Sequence, residues 1–532
     1  MMKKNIHKIF LFVAVITGMS SCNDFLEVTP KTNELEANAY LTEVDAMEAL
    51  TAVYDALAVQ NWNFVPAQSD VFSDDLYTGG EPGGGMGQWQ DQERSIITPE
   101  NGAAADLWNR CYSGIYRANF YNYKEGGIQW NDENKRKRMK AEVLVMKAYF
   151  YWDLVRHYGW VPIVEEYIPD PEKYKSIAQS SPQEVYELIA ANLLAAIPDL
   201  PTTVSATEKG RITKDVARVL IARVYLFREG FAKPVLGVTG DWTDGVTVIN
   251  KEFVRDMIDE IITSERYVLE ANFADVFDWA NENNDESIFE WQYSEKKGHG
   301  DWGNLWGADG NFTVVFFGPR SPQGDPSIVA GWSFGTVSWS LYDEFEAGDP
   351  RRDVTIYNAN EKLTSYQKGF QNTGYFNYKY MPRADYIGTS GSSEFNWRIN
   401  YKDMRLAEVY LIGAELYLDT DNAKATEYLN KVRVRAMGED AKKEEITLDD
   451  IYHERRVELA AEGHRKWDLL RRGLDYAKQE IDASWNVPLA ESQVDFQGRQ
   501  FDVNTWGMLP IPGSEIRLMN PGTLKQYVPA FQ

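Results

Sequence analysis

Segments with the apolar period of an amphipathic helix recur along this chain and limit what it can fold into. From Glu43 to Leu57, apolar and aromatic side chains fall on one face at i, i+3, i+4 and i+7 spacing. A second such segment begins near Arg138 and ends at Gly159, with Pro162 beyond it. The pattern predicts a mainly α-helical protein whose helices bury one face against each other.

Two more helices carry recognisable start and stop signals. Ser181, Pro182 and Glu184 occupy the N-cap, N1 and N3 positions of a capping box before an apolar run. The helix that begins near Lys214 is expected to end with Gly230 as its C-cap. These segments predict helix hairpins through the first half of the chain.

The composition changes between residues 279 and 398, where Gly, Asn and aromatic residues dominate and no helical or strand periodicity of apolar residues is sustained. Long ordered loops are predicted there, and such loops are usually functional. Helical periodicity returns in "DMRLAEVYLIGAELYL", in which Gly413 and Ala414 allow close helix packing, and again from Asp421 to Ala436. These two helices predict a helix-turn-helix unit of the size that stacks into solenoids.

The N-terminus reads as an export signal. Lys3, Lys4 and Lys8 flank the start of an unbroken apolar run from Ile9 to Ile16, which is too short to span a bilayer. The "MSSC" that follows is similar to a bacterial lipobox, in which Cys22 becomes the acylated first residue. We therefore expect residues 1–21 to be removed and Cys22 to carry a lipid anchor.

Composition restricts the partners of this protein. The formal net charge of −25 would repel nucleic acid. With Cys22 lipidated, Cys111 has no disulfide partner and is expected to be a small buried hydrophobe. The 17 Trp, 30 Tyr and 24 Phe exceed what a core normally uses, so some aromatic side chains should be exposed.

Several segments, in order, resemble the SusD/RagB family of Bacteroidetes outer-membrane lipoproteins. They are "CNDFLEVTP", "EVDAMEALTAVYDAL", "KAYFYWDLVRHYGWVPIV", "RLAEVYLIGAEL", "YLNKVRVRA", "HERRVELAAEGHRKWDLLRRG" and "LPIPGSEIRLMNP". Two departures are small: Lys147 stands where arginine is usual, and the tail lacks the common Asn-Pro-Gly-Tyr ending.

The resemblance implies a SusD-like fold: tetratricopeptide-like helix pairs with an irregular, loop-rich C-terminal half. It implies a tether over residues 22–40, an N-terminal helical region over 41–275, and a C-terminal region with the ligand loops over 276–532. The implied function is binding of oligo- or polysaccharides at the cell surface, without enzymatic activity or cofactor. The implied partners are a SusC-like TonB-dependent outer-membrane transporter, the glycan, and the membrane through the lipid.

Sugar rings are bound by exposed aromatic faces flanked by carboxylates and amides, so two aromatic, polar segments are candidate ligand loops. The alternative for each aromatic side chain is burial under a loop, and for each aspartate it is helix or turn capping. The candidates are Asp74, Asp75, Tyr77 and Trp89 in the Gly-rich stretch 67–92, and Trp291, Tyr293, Trp302 and Trp306 in the second segment.

Two other functions stay open on sequence alone. A glycoside hydrolase needs two carboxylates across a scissile bond, and no such pair is marked; no HExxH or CxxC motif supports metal or thiol chemistry either. Glu454 and Glu458 are interpreted as helix scaffold rather than as acid and base. A peptide-binding, RagB-type uptake protein is the other alternative. Residues 278–290 lack EF-hand spacing, so no metal site is predicted.

Overall fold

Helices dominate the computed structural model, which describes residues 40–58, 69–294, 310–388, 394–485, 496 and 499–532. The predicted mainly α class is confirmed. None of the described helices is both long and apolar enough to cross a membrane. The described helices are α1 (Glu43–Ala58), α2 (Gly87–Glu93), α3 (Gly102–Glu125), α4 (Glu133–Tyr158), α5 (Pro171–Tyr174), α6 (Pro182–Ala196), α7 (Lys214–Phe227), α8 (Lys233–Leu236), α9 (Lys251–Thr263), α10 (Trp339–Glu344), α11 (Arg351–Thr355), α12 (Ala359–Lys362), α13 (Leu406–Tyr417), α14 (Asn422–Met437), α15 (Leu448–Leu459), α16 (Arg465–Arg472), α17 (Leu474–Ala483) and α18 (Gly513–Leu518).

The local capping signals act as predicted at the start of α6 and the end of α4. The Ser181 hydroxyl accepts the backbone N–H of Glu184, and the Glu184 carboxylate accepts the backbone N–H of Ser181 at 2.7 Å. At the end of α4, Gly159 has a φ of 73°, which glycine adopts without steric cost. Short-range chemistry therefore sets these helix boundaries.

The prediction that Gly230 ends a helix is wrong. From α7 the chain continues through a π-helical turn, Arg228–Ala232, into α8, and stops at Gly237 with a φ of 69°. A Cβ atom at position 230 would lie 2.4 Å from the carbonyl oxygen of Arg471. Glycine is needed at position 230 because α16 approaches the backbone there, which is a tertiary constraint.

Neighbouring helices pack side by side in the order α1, α3, α4 and α6, and again as α7, α9, α13 and α14. The predicted hairpin of α13 and α14 is confirmed. Gly413 lies so close to Tyr428 that an added Cβ would be 2.7 Å from its ring. This series of helix pairs agrees with a tetratricopeptide-like scaffold.

Short strands lie within and beside the region predicted as loops. Four of them form an antiparallel sheet in the order β1 (Leu76–Gly79), β8 (Phe334–Val337), β11 (Tyr375–Asn377) and β9 (Ile356–Asn358), in which Leu76 pairs with Val337 and Gly79 with Phe334. Strand β6 (Ser287–Trp291) pairs with β12 (Tyr401–Arg405). The described strands are β1 (Leu76–Gly79), β2 (Val161–Pro162), β3 (Gln179–Ser180), β4 (Trp242–Thr243), β5 (Val248–Ile249), β6 (Ser287–Trp291), β7 (Arg320–Gln323), β8 (Phe334–Val337), β9 (Ile356–Asn358), β10 (Ser365–Gln367), β11 (Tyr375–Asn377) and β12 (Tyr401–Arg405).

A buried network of ion pairs joins the C-terminal helices to these strands. The Arg405 guanidinium lies 2.6 Å from Glu458, 2.7 Å from Glu462 and 2.8 Å from Glu286. Glu454 is equally buried and pairs with Arg351. Removing one partner from such a buried cluster typically costs about 3–5 kcal/mol. The interpretation of Glu454 and Glu458 as scaffold is confirmed.

Candidate ligand-binding site

Trp89 lies in the core and not on an exposed loop. Its side chain has 0 % exposed surface on α2, and its ring meets Phe316 and Phe334 edge-on at 6.0 and 6.1 Å. The expectation that Trp89 offers a face to a ligand is therefore wrong. Packing against these two phenylalanine rings favours burial of the large indole ring over exposure.

Asp74 and Asp75 are buried ion-pair residues. Asp74 binds Arg465 through both oxygens, at 2.7 and 2.8 Å, and Asp75 lies 2.8 Å from Arg456. Burial alone would raise the pKa of Asp74, but Arg456 and Arg465 outweigh it and hold that pKa well below its ordinary value. These carboxylates fasten the chain before β1 to α15 and α16, so their prediction as ligand contacts is wrong.

Tyr77 on β1 is also buried. Its hydroxyl donates to the backbone carbonyl of Ser484 at 2.8 Å, and its ring packs edge-on against Trp485 at 4.9 Å. With its polar atom satisfied inside the protein, Tyr77 is a core residue and its prediction as a contact is corrected.

Trp291 and Tyr293 are brought together at the end of β6, but only Tyr293 is partly exposed. Trp291 is 5 % exposed, and its indole N–H donates to Asp403 at 3.2 Å. The Trp291 ring therefore lies beneath the surface, which corrects its assignment as an exposed platform. The prediction for Tyr293 stays open, while Trp302, Trp306 and Cys22 lie outside the described residues.

Tyr293 borders a cavity of about 340 Å³ between α1 and the end of β6. This volume falls in the roughly 300–1,000 Å³ range of ligand sites. Ala58 and Ser294 are on its rim, and Trp302 and Trp306 follow Ser294 in the sequence. The lining combines an apolar wall with polar groups: Met47, Leu50, Thr51, Tyr54, Asp55, Leu57, Ala58, Lys209, Gly210, Arg211, Phe289, Glu290, Trp291, Gln292, Tyr293 and Ser294.

Hydrogen bonds hold the polar side of the cavity in place. The Tyr54 hydroxyl donates to Glu142 at 2.8 Å and accepts the backbone N–H of Ile212 at 2.9 Å. The Arg211 guanidinium lies 2.7 Å from Glu142. Burial of Glu142 raises its pKa, and Arg211 opposes that shift. Tyr54 and Arg211 are therefore fixed side chains, as a selective site requires.

Asn400 joins the backbone of Tyr293 to Glu290, another residue that lines the cavity. Its side-chain oxygen accepts the backbone N–H of Tyr293 at 2.8 Å, and its amide donates to Glu290 at 2.9 Å. Its own backbone N–H donates to Glu282. Burial raises the pKa of Glu282 from 4.5 to about 8, because removing a carboxylate from water disfavours its charged form.

The sequence patterns did not mark several residues that line this cavity or support its lining. Tyr54 falls in the apolar stripe of α1 and reads as a core residue, and Asn400 lies more than a hundred positions from the strand it supports. Gln292 stands between Trp291 and Tyr293 in the sequence, and it is the one of these residues that the sequence could have marked, since an amide beside aromatic side chains suits hydroxyl groups.

Residues 331–335 spell GWSFG, which has the G-x-S-x-G spacing of serine hydrolases. Ser333 is buried with a φ of 61°. The described histidines contact other groups: His157 the Asp153 carbonyl, His453 two glutamates, and His464 Glu408. None of these histidines pairs with a serine within the described ranges. The same ranges contain no cluster of three or more His, Cys, Asp or Glu side chains that could hold a metal ion.

Comparison with known proteins gives consistent matches along the chain. A family model described as "SusD family" matches residues 285–530, and one described as "Starch-binding associating with outer membrane" matches residues 24–226. SusD-like protein P25 of Formosa agariphila is 27 % identical over 509 residues, which cover 88 % of this chain and 90 % of that protein.

Solved structures match over nearly the whole length. A laminarin binding SusD-like protein is 30 % identical with a TM-score of 0.78, covering 91 % of this chain and 100 % of that one. Surface glycan-binding protein A from Bacteroides thetaiotaomicron, in complex with laminarihexaose, is 27 % identical with a TM-score of 0.78. That match covers 92 % of this chain and 100 % of the other.

Proposed function

Because this chain belongs to the SusD family, we propose that it is a cell-surface glycan-binding lipoprotein that works with a SusC-like TonB-dependent transporter in polysaccharide uptake. The cavity beside Tyr293 carries this proposal. It offers a partly exposed aromatic ring, an apolar wall and the fixed guanidinium group of Arg211, a combination that suits a sugar with its C–H face and its hydroxyls.

The relatives indicate which ligand class to test first. One solved relative is described as binding laminarin and another was solved with laminarihexaose. Both cover this chain almost completely, so laminarin oligosaccharides are the first glycans to examine. The transporter partnership is proposed from the family.

Binding without catalysis is the proposed activity. The relatives are described as glycan-binding proteins, and Ser333, the residue at the centre of the G-x-S-x-G spacing, is buried without any described histidine beside it. Incubation with laminarin should therefore release no new reducing ends. The appearance of reducing ends would establish a glycoside hydrolase instead.

Attachment to the membrane is proposed to occur through acylated Cys22. The family description that matches residues 24–226 refers to association with the outer membrane. No described helix could supply a membrane span. The lipobox-like segment before Cys22 supports the lipid as the anchor.

Calorimetric titration of residues 23–532 with a glycan panel that includes laminarihexaose tests the function. Tyr293→Ala should weaken binding about tenfold, since an aromatic sugar contact contributes on the order of 1 kcal/mol or more. Tyr527→Ala is the matched control, because Tyr527 is 38 % exposed and stacks on Trp160 at 4.6 Å outside the cavity.

The outcomes separate the function from its location. If the unmodified chain binds no glycan of the panel, the proposed function is refuted, and binding to a peptide mixture would favour the RagB-type alternative. If the chain binds a glycan and Tyr293→Ala binds it equally well, the function stands and the cavity is the wrong place.

A further inference from the structure

A second, smaller cavity adjoins the cavity beside Tyr293. It measures about 170 Å³ and shares Lys209, Gly210, Arg211, Phe289 and Glu290 with the larger one. The part of its lining that it does not share is polar and includes Thr203, Thr213, Arg266, Asn283 and Ser287. An apolar and a polar cavity thus lie on the two sides of one shared wall.

Two amide side chains, one from each cavity, meet across this wall. Asn283 lines the smaller cavity and Gln292 the larger one. The Asn283 amide N–H donates to the Gln292 side-chain oxygen at 3.0 Å, and the Gln292 amide N–H donates to the Asn283 side-chain oxygen at 3.0 Å. The pair forms a polar ridge between the cavities.

Every hydrogen-bonding group of Gln292 is used by the protein. Its amide nitrogen also donates to the backbone carbonyl of Glu290 at 2.9 Å, and its oxygen also accepts from Asn400 at 3.3 Å. The Glu290 carbonyl can only accept, so the Gln292 nitrogen must face it, and this fixes which way both amides point. Gln292 also lies against Gly210, where an added Cβ would be 2.3 Å from its Cγ.

Asn283 is equally well held but keeps hydrogen-bonding capacity. Its backbone N–H donates to Glu290 at 2.9 Å, and its backbone carbonyl accepts from Lys209 at 3.0 Å. Its amide makes only the pair with Gln292 among the described residues, which leaves one N–H and one oxygen lone pair. The side chain is partly exposed, so these two groups are available to a ligand.

We infer that Asn283 reads a pair of neighbouring sugar hydroxyls in a glycan chain that crosses the ridge from the larger cavity into the smaller one. The inference rests on the proposed function. One hydroxyl donates to the Asn283 oxygen while a second hydroxyl, close to it in space, accepts the Asn283 N–H, so the amide selects two free hydroxyls at the right spacing. Because sugar units lie on both sides of the ridge, the site binds an internal stretch of the chain.

Asn283→Gly is the deletion that tests this inference. Asn283 has a φ of 52°, a conformation that glycine adopts without strain, so the variant removes the amide while leaving the backbone relaxed. Its affinity for laminarihexaose should fall about tenfold, as expected for the loss of two modest hydrogen bonds. Asn504→Ala, an exposed asparagine that lines neither cavity, should bind as the unmodified chain does.

Chain length provides the second measurement. A laminarin-derived disaccharide is short enough to bind within one cavity, so Asn283→Gly should weaken its binding much less than that of the hexasaccharide. Asn283→Asp serves as a second variant of nearly equal size, whose ionised carboxylate cannot donate a hydrogen bond to a hydroxyl. Melting temperatures of both variants establish that they are folded.

Each outcome bears on the inference. Unchanged affinity of Asn283→Gly for laminarihexaose overturns it and leaves the proposed function standing. If Asn283→Gly loses the same factor in affinity for the disaccharide and the hexasaccharide, the glycan does not extend from one cavity into the other and the inference is overturned. Failure of the unmodified chain to bind any glycan of the panel overturns both the proposed function and this inference.

Discussion

Asp74→Ala is predicted to destabilise the fold without a specific effect on ligand binding. The Asp74 carboxylate binds Arg465 at 2.7 and 2.8 Å and Arg456 at 2.9 Å, and all three side chains are buried. After the substitution Arg456 keeps Asp75 and Glu344 as partners. Arg465 keeps only Glu480, at 3.8 Å, among the described carboxylates.

The expected cost follows from leaving a buried guanidinium without a close counter-ion. Such a change typically costs about 3–5 kcal/mol. An unfolding entropy of about 2 cal/mol/K per residue gives roughly 1 kcal/mol/K for a chain of this length, so the melting temperature should fall by about 3–5 °C. Because Asp74 has a lowered pKa, its contribution is present above its ordinary pKa of 3.8 and is lost only in stronger acid.

Differential scanning calorimetry at pH 7, with and without a bound glycan, is the assay. Asp449→Ala is the matched control: its carboxylate also meets an arginine, Arg472, at 2.7 Å, but it is 82 % exposed. An exposed pair contributes about 0–1 kcal/mol, so the control should melt within about 1 °C of the unmodified chain. An unchanged melting temperature for Asp74→Ala, together with lost glycan affinity, would refute the reasoning.

Three further substitutions test other features. Glu282 has a raised pKa of about 8, so the folded state keeps a proton that the unfolded state releases, and stability should fall as the pH rises from 5 to 8. Glu282→Gln should reduce this fall, and equal melting temperatures for both proteins across that pH range would contradict the prediction. Gly230→Ala should lower the free energy of unfolding by about 1–3 kcal/mol, because its Cβ would clash with the Arg471 carbonyl oxygen. Gly237→Ala would place its Cβ where no other atom lies within 4 Å, so it should cost only about 1 kcal/mol of left-handed backbone strain. Urea denaturation measures both differences. Cys22→Ala should move the protein from the membrane fraction to the supernatant with glycan affinity unchanged, and retention in the membrane would argue against the lipid anchor.

Local chemistry made the helices predictable. The apolar stripe of α1, the capping box at Ser181 and the stop at Gly159 each act within a few residues, so the sequence carries all the information they need. Gly230 shows the limit of that approach. A glycine near the end of a periodic run usually caps a helix, but here the requirement comes from α16, more than two hundred residues away.

The sequence predicted the class of ligand for the candidate site but not which residues line the site. Aromatic and polar loops indicated the class of ligand, yet Trp89, Tyr77, Asp74 and Asp75 all became interior residues. The reason is that β1 pairs with β8, more than two hundred and fifty positions later, and this pairing draws the Gly-rich segment into the core. A single sequence contains no signal for a strand of four residues that pairs at such a distance.

By itself, then, the sequence determined the mainly helical class, the positions of the longer helices, the family resemblance and the net negative charge. Only the tertiary structure decided which carboxylates neutralise buried arginines and which aromatic rings stay at the surface. It also brought Tyr54 and Gln292 to the larger cavity, placed Asn283 beside Gln292 in the smaller one, and set Asn400 behind Tyr293. Helix formation depends on neighbours three or four residues apart, whereas burial and ion pairing depend on which distant segments meet.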